Sequence, residues 1–397
     1  MRVTSAILLL IAFTANLAAG SSAKKDLAGK KEDHVVDTTK TSEDAFLFAS
    51  NITENKSEEL SFSRDALKKI LEERKTTRFL LGRSKQMQTI EAWFFPGTSE
   101  KNALVIGGVH GTELSSTEVA KTLIQKLLLG GENYYNVIVI PCLFPDNAAT
   151  AKENANAIGS TANVGRYSFS TAADPNRQMP SPGQPFDEES GKDHMGREIE
   201  KENQLLLRLI NMFKPERIAN IHAIRDTEHA GIYADPRTDS KSYALGFETD
   251  SSLAVEMALM VDKNGGYIPG NQLNKKPTAL YYKDPTPVGK GSFQKRNFSG
   301  SSLANNRGSG ISLGTWASTA VSDAKDPMLD RGAMRILTIE FPGYKRPVDY
   351  KEVNQKNYFT RQVQVYALAI EKIFLGEYFV EEGGMNETNI AATMKLH

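Results

Sequence analysis

From about residue 61 the sequence predicts an alternating α/β protein. Two observations carry this. Short, almost wholly apolar runs at 103–109, 137–141 and 217–221 read as strands of a sheet covered on both faces. Between them lie segments whose apolar residues recur at helical spacing, such as Val119, Leu123 and Leu127.

In chain order, Arg2 and an apolar run at 6–19, broken only by Thr14 and Asn16, precede the small residues of 18–23. That is the build of a cleavable secretory signal over 1–20, too short and interrupted for a good membrane span. Residues 21–59 are rich in Lys, Asp, Glu, Ser and Thr and read as a polar linker or pro-segment. The folded domain is assigned to 60–379, and 380–397 to a polar tail. Within the domain, 89–95 is a strand, 103–109 a second, and 114–129 a helix stopped by Gly130 and Gly131. After the strand at 137–141, a polar stretch from Pro145 to Gly196 has the length of a binding loop. A helix at 199–213, a strand at 217–221, a helix at 251–261, a strand at 335–341 and a helix at 362–375 complete the pattern.

Lys+Arg equals Asp+Glu at 48 each, so no net field would draw the protein to nucleic acid or an anionic membrane. The single cysteine, Cys142, excludes an intramolecular disulfide and reads as a small buried hydrophobe. Asn51, Asn55, Asn297 and Asn386 head glycosylation tripeptides.

Only His110, His194, His222 and His229 are available to a site in the folded part. His110 and Glu113 end a strand with Gly107, Gly108 and Gly111 around them, and the glycines allow a sharp turn. A His-x-x-Glu pair there can aim an imidazole and a carboxylate at one divalent ion. Alternatively, Glu113 only favours the positive start of the following helix. His222 closes its strand as His110 closes its own, and ligands in open α/β sheets gather at carboxyl ends of strands. Two histidines and a glutamate from two strand ends would make a three-ligand zinc site with a fourth position open. Glu340 interrupts the apolar run 336–339, where a carboxylate is costly unless paired or working. Beside such a site it can take a proton from the attacking water and pass it to a leaving amine. In Asp174-Pro175-Asn176-Arg177, the Arg and Asn can hold a substrate carboxylate in a two-pronged contact.

The ordered set of these pieces resembles the zinc carboxypeptidase superfamily, most closely its bacterial murein peptide amidases and γ-D-glutamyl-diaminopimelate peptidases. The similarity starts at Leu81-Gly82-Arg83-Ser84 and runs through Gly107 to Glu113, Pro145-Asp146-Asn147, Asp174 to Arg177 and Asn220-Ile221-His222. It ends with Gly310 to Trp316, which resembles a specificity loop, and Leu337 to Pro342, which resembles the catalytic-glutamate strand. The resemblance implies a three-layer α/β/α sandwich with a mixed, roughly eight-stranded sheet. It implies one Zn2+ on His110, Glu113 and His222, Glu340 as base, a carboxylate clamp at Asn176 and Arg177, and substrate contacts at Leu313 and Gly314. Arg166, the only Arg between Pro145 and Arg177, is assigned to polarise the scissile carbonyl. Departures from the pattern lie in Pro175, Asn147, a long loop at 181–192 and a stretch at 304–307 without the tyrosine that caps substrate in digestive members.

The expectation is an exported, secreted or periplasmic metallocarboxypeptidase acting on small peptides with a free carboxylate, cell-wall fragments included. No nucleic-acid partner and no stable membrane insertion are expected. A deacylase of N-acyl amino acids, like succinylglutamate desuccinylase or aspartoacylase, and a catalytically silent binding protein on the same fold are the alternatives.

Overall fold

The computed structural model describes residues 62–130, 133–167, 173–241, 243, 245, 247–273, 308–323 and 325–377. The signal, the linker, all four glycosylation tripeptides, the stretch at 304–307 and the 380–397 tail lie outside them. Among the described residues no helix is long and apolar enough to cross a membrane.

Chain order gives α1 (Arg64–Glu73), β1 (Thr77–Arg83), β2 (Thr89–Phe95), β3 (Asn102–Ile106), α2 (Leu114–Leu128), β4 (Asn136–Ile140), α3 (Pro145–Glu153) and α4 (Lys201–Phe213). Then come β5 (Arg217–Ile224), β6 (Gly231–Ala234), α5 (Phe247–Lys263), α6 (Leu313–Ala317), β7 (Arg335–Pro342) and α7 (Val353–Ala369), which runs into a π-helical turn over Ile370–Phe374. The strands form one sheet in the order β1-β2-β4-β3-β5-β7-β6. The four central strands β4, β3, β5 and β7 are parallel, while β1, β2 and β6 pair antiparallel at the two edges. The sheet is mixed as expected, with seven strands among the described residues rather than about eight.

Alternation along the strands sends side chains to both faces, and helices cover each. Leu104, Ile106, Ile138, Ile140, Ile218 and Ile336 join Leu67 of α1 and Leu205, Leu209 and Phe213 of α4 in one core. On the other face α7 packs with Tyr366 edge-on to Phe341 of β7, ring centroids 5.1 Å apart, and α2 buries Val119, Leu123 and Leu127. Each fully buried Ile or Leu is worth about 1.5–3 kcal/mol, so the parallel centre supplies a large share of the core's stabilisation. Lateral register places the ends of these strands side by side, with Ile106 opposite Asn220, Asn220 opposite Thr338, and His222 opposite Glu340.

Four sequence expectations shift. The strand at 103–109 stops at Ile106, because Gly107 leaves the sheet and Gly108 takes φ +64°. The strand at 217–221 continues to Ile224, since β7 keeps pairing with it, so His222 lies within β5 rather than closing it. Residues 145–153, read as the opening of a loop, form α3, with Pro145 at its first turn. The last helix starts at Val353 instead of 362 because its first two turns are solvated and show no apolar stripe.

Candidate metal and catalytic site

β3 delivers His110 and Glu113 through a turn that only glycine fits. A Cβ on Gly111 would sit 2.2 Å from the backbone carbon of Asn147, in α3. The Pro145-Asp146-Asn147 segment thus packs directly on the ligand turn. Asp146 is in turn held by Ser84 Oγ at 2.6 Å and the Gln86 amide at 2.8 Å, so three of the motif segments form one support. Gly111→Ala is expected to lower Tm by several degrees, as backbone rather than a flexible side chain must yield. A thermal melt checks this.

Glu113 occupies the N-cap of α2 but makes no side-chain cap. That disfavours a helix-start role for its carboxylate. Instead Oε1 lies 2.8 Å from His110 Nδ1 and accepts from Arg166 Nη1 at 2.9 Å, while Oε2 lies 3.1 Å from His222 Nδ1 and accepts the Ala223 amide at 3.0 Å. The imidazoles face each other, centroids 5.0 Å apart. His110, Glu113 and His222 are 4 %, 2 % and 3 % exposed, and each offers a ligand atom within 4.8 Å of the other two. The outer nitrogens are held as well. His110 Nε2 is 2.8 Å from Asp174 Oδ1, and His222 Nε2 is 3.4 Å from Asn176 Nδ2. Two imidazole nitrogens and a carboxylate form a donor set that fits zinc, and Asp174 stands behind His110 as an acceptor for its outer N–H.

The charges are balanced within the cluster. Burial pulls His110 down, but Glu113 and Asp174 outweigh it and its pKa rises to about 9. Burial raises Glu113 and Asp174, yet the facing His110 holds both carboxyls well below the ordinary range. Arg166 bridges them, reaching Asp174 Oδ2 at 3.3 Å. A cation entering between the two Nδ1 atoms must displace the His110 proton, as metal ligation by imidazole requires.

A cavity of about 230 Å³ opens on this cluster. It is lined by His110, Glu113, Arg166, Asp174, Asn176, Arg177, His222, Ala223, Ile224, Glu340 and Tyr344. Glu340 reaches it from β7, beside His222, and remains partly exposed. Burial pushes its carboxyl above the ordinary range, His222 pulls it back, and Glu113 adds to the rise. Asn176 and Arg177 enter on a short turn capped by Asp174, whose carboxylate accepts the Asn176 amide at 2.8 Å. Arg177 donates to its neighbour's carbonyl, Asn176 O, at 2.7 Å, and its own carbonyl is gripped by Arg197 Nη2 at 2.7 Å.

Of the residues named from sequence, His110, Glu113, His222, Glu340, Arg166, Asn176 and Arg177 therefore share one cavity. Leu313 and Gly314 do not line it. Leu313 is buried, and its backbone N–H donates to Asn176 Oδ1 at 3.1 Å, while Gly314 packs against Asp235. Their place is behind Asn176 rather than on the cavity wall. His194, on the loop from Ser181, bonds Ser181 Oγ at 2.7 Å and does not line the cavity. Four cavity residues were not assigned a role from sequence, Asp174, Tyr344 and the two that continue β5 past His222, Ala223 and Ile224. Asp174 stands in the same motif as Asn176, so its spacing was visible. Tyr344 returns to the cavity after Gly343 at φ +87°, a reversal that residue pattern alone does not place.

No protein-family model matches the sequence, and no curated protein is similar to it. Solved structures of carboxypeptidases and metallopeptidases are among those similar to it, all at low identity. Carboxypeptidase A from Helicoverpa armigera is 15% identical, with TM-score 0.42 over 84% of this chain and 80% of that one. Bovine thrombin-activatable fibrinolysis inhibitor is 11% identical, with TM-score 0.41 over 79% and 96%. A metallo-carboxypeptidase from Burkholderia cenocepacia is 10% identical, with TM-score 0.39 over 78% and 69%. At these values the function rests on the site's own geometry.

Proposed function

We propose that this protein is a zinc metallocarboxypeptidase that hydrolyses a terminal peptide or amide bond of a small peptide bearing a free carboxylate. What supports it most is one arrangement: two imidazole Nδ1 atoms and Glu113 converge at the carboxyl ends of neighbouring parallel strands, beside Glu340, a carboxylate with no hydrogen-bond partner among the described residues. Zinc on His110, Glu113 and His222 would supply Lewis-acid polarisation of an oxygen and a lowered pKa for water.

The chain's own groups account for the rest. Glu340 accepts the proton of the attacking water and delivers it to the leaving nitrogen, which departs poorly as an amide anion. Asp174 holds the His110 imidazole in orientation. Arg177, fixed at its backbone by Arg197, presents a guanidinium to the substrate's terminal carboxylate. Arg166 keeps the buried carboxylates neutralised and lies on the cavity wall, where its free N–H groups can meet a scissile carbonyl.

Export remains part of the proposal. The apolar run and small residues within 1–23, read as a secretory leader, favour a secreted or periplasmic location.

Incubating zinc-loaded protein with peptides carrying either a free or an amidated C-terminus tests the reading. Release of the last residue from the free peptide, lost with chelator and restored by zinc, is expected. Cleavage of N-acyl amino acids with no peptide turnover would instead assign the site to a deacylase.

Arg177→Ala should raise KM on a free-carboxylate substrate by about 10- to 100-fold, the worth of a charge-assisted two-pronged contact. An amidated substrate should suffer far less. Equal losses on both would remove Arg177 from the clamp.

A further inference from the structure

Arg166 enters the cavity from a segment with little packing of its own. Of residues 152–167 only Ile158 is buried, so few apolar contacts fasten the chain there. The turn that leads into Arg166 takes left-handed backbone at Gly159 (φ +80°), Asn163 (φ +52°) and Gly165 (φ +76°). Gly165 rests on α3, since a Cβ there would lie 2.4 Å from Asn147 O. The Arg166 amide donates to Asn163 O at 3.0 Å. The place of Asn163 therefore sets where the Arg166 side chain starts, before it reaches Glu113 and Asp174 at its far end.

One side chain from outside grips this turn. Arg225 follows directly on β5, three residues after His222. Its Nη2 donates to Ser160 O at 2.7 Å and to Asn163 Oδ1 at 3.0 Å. Among the described residues, the other hydrogen bonds of 155–165 stay within the turn and its neighbours in sequence. Asn163 suits the place twice, because asparagine tolerates left-handed backbone and its carboxamide oxygen accepts from a guanidinium. The Arg225 guanidinium carbon also stands 6.0 Å from the centre of the Tyr344 ring, on the cavity wall. Arg225 itself is exposed and does not line the cavity. The strand that carries His222 into the cluster thus also holds the turn that carries Arg166.

The magnitudes separate two kinds of effect. An exposed contact of this sort adds little to stability. A displacement of about 1 Å at a group that meets the reacting atoms can cost up to about 10²-fold in rate. Arg225 should therefore matter to rate and hardly to folding.

We propose that Arg225 is a positioning residue for Arg166: by fastening the 159–165 turn to the end of β5, it fixes where the Arg166 guanidinium meets a scissile carbonyl. This rests on the carboxypeptidase reading and adds to it the contact that aligns Arg166 with the strand of His222.

A cycle of Arg225→Ala and Arg166→Ala tests it, on zinc-loaded protein with a peptide bearing a free C-terminus. Arg225→Ala alone is expected to lower kcat by about 10-fold, with KM, zinc affinity and Tm near wild type. Arg225→Lys keeps a cationic donor and should recover part of the loss. In an Arg166→Ala background, Arg225→Ala should cost less than about 2-fold, since the group it positions is gone. Losses that multiply in the double variant overturn the proposal, as does wild-type kcat in Arg225→Ala. Asn163→Gly, which keeps the left-handed turn and removes one acceptor, should show the same dependence on Arg166. Hydrogen exchange gives a readout free of activity. Amides of 155–166 should exchange faster in Arg225→Ala, and those of β5 and α2 should not. Unchanged exchange at 155–166 overturns the proposal while leaving the hydrolase reading intact. Absence of cleavage by wild type sinks the hydrolase reading, and exchange alone then decides whether Arg225 holds the turn.

Discussion

Glu340→Gln is expected to lower kcat by ~10²–10⁴-fold, the usual worth of a positioned acid–base group. The glutamine keeps the shape of the side chain and its place on β7 beside His222. It breaks no hydrogen bond, since Glu340 makes none among the described residues. What it cannot do is take a proton from water and return it to the leaving nitrogen. The loss should therefore fall equally on kcat and kcat/KM, with KM and metal content little changed. Both quantities measured on one preparation decide the matter. A variant that keeps more than a tenth of wild-type kcat would show that Glu340 is not the base, and a variant that loses its metal would show that it is a ligand.

Much of the site was legible because its residues violate the local pattern. A carboxylate at Glu340 within an apolar strand, and histidines beside apolar runs at His110 and His222, are costly placements that only a paired or working role repays. The glycines around His110 could be read for a tight turn, but the close approach of Gly111 to Asn147 needed the fold. Where reading by pattern failed, the cause was tertiary. α3 carries almost no apolar stripe, since Asp146 and Asn147 are buried to support other segments. The four-residue strand β6 owes its existence to pairing with β7. Leu313 and Gly314 came from a loop resemblance, whereas their place off the cavity wall depends on the Asn176 bond to the Leu313 amide.

The metal gives the other large effect. Wild type should bind one zinc per chain, and His222→Ala should lose most of it, because His110 and Glu113 are only two of the three protein donors such an open site needs. Asp174→Asn forms the intermediate case. Its amide oxygen can still accept from His110 Nε2, but the charge that favours that orientation is gone, and losses of such supporting groups typically weaken metal binding about 10–100-fold. Competition with a chelator of known affinity should thus rank wild type, Asp174→Asn and His222→Ala in that order. Folding gives an independent readout. An ion that binds only the native state at 100 times its dissociation constant adds about 2.7 kcal/mol, so zinc should raise the Tm of wild type and leave that of His222→Ala unmoved. The two assays separate a lost ligand from a damaged fold. A damaged fold lowers Tm with and without metal, whereas a lost ligand removes only the zinc-dependent rise. Full zinc occupancy in a His110→Ala, His222→Ala double variant would place the ion elsewhere and leave the convergence of the two imidazoles on Glu113 as an ion-paired cluster beneath an empty cavity.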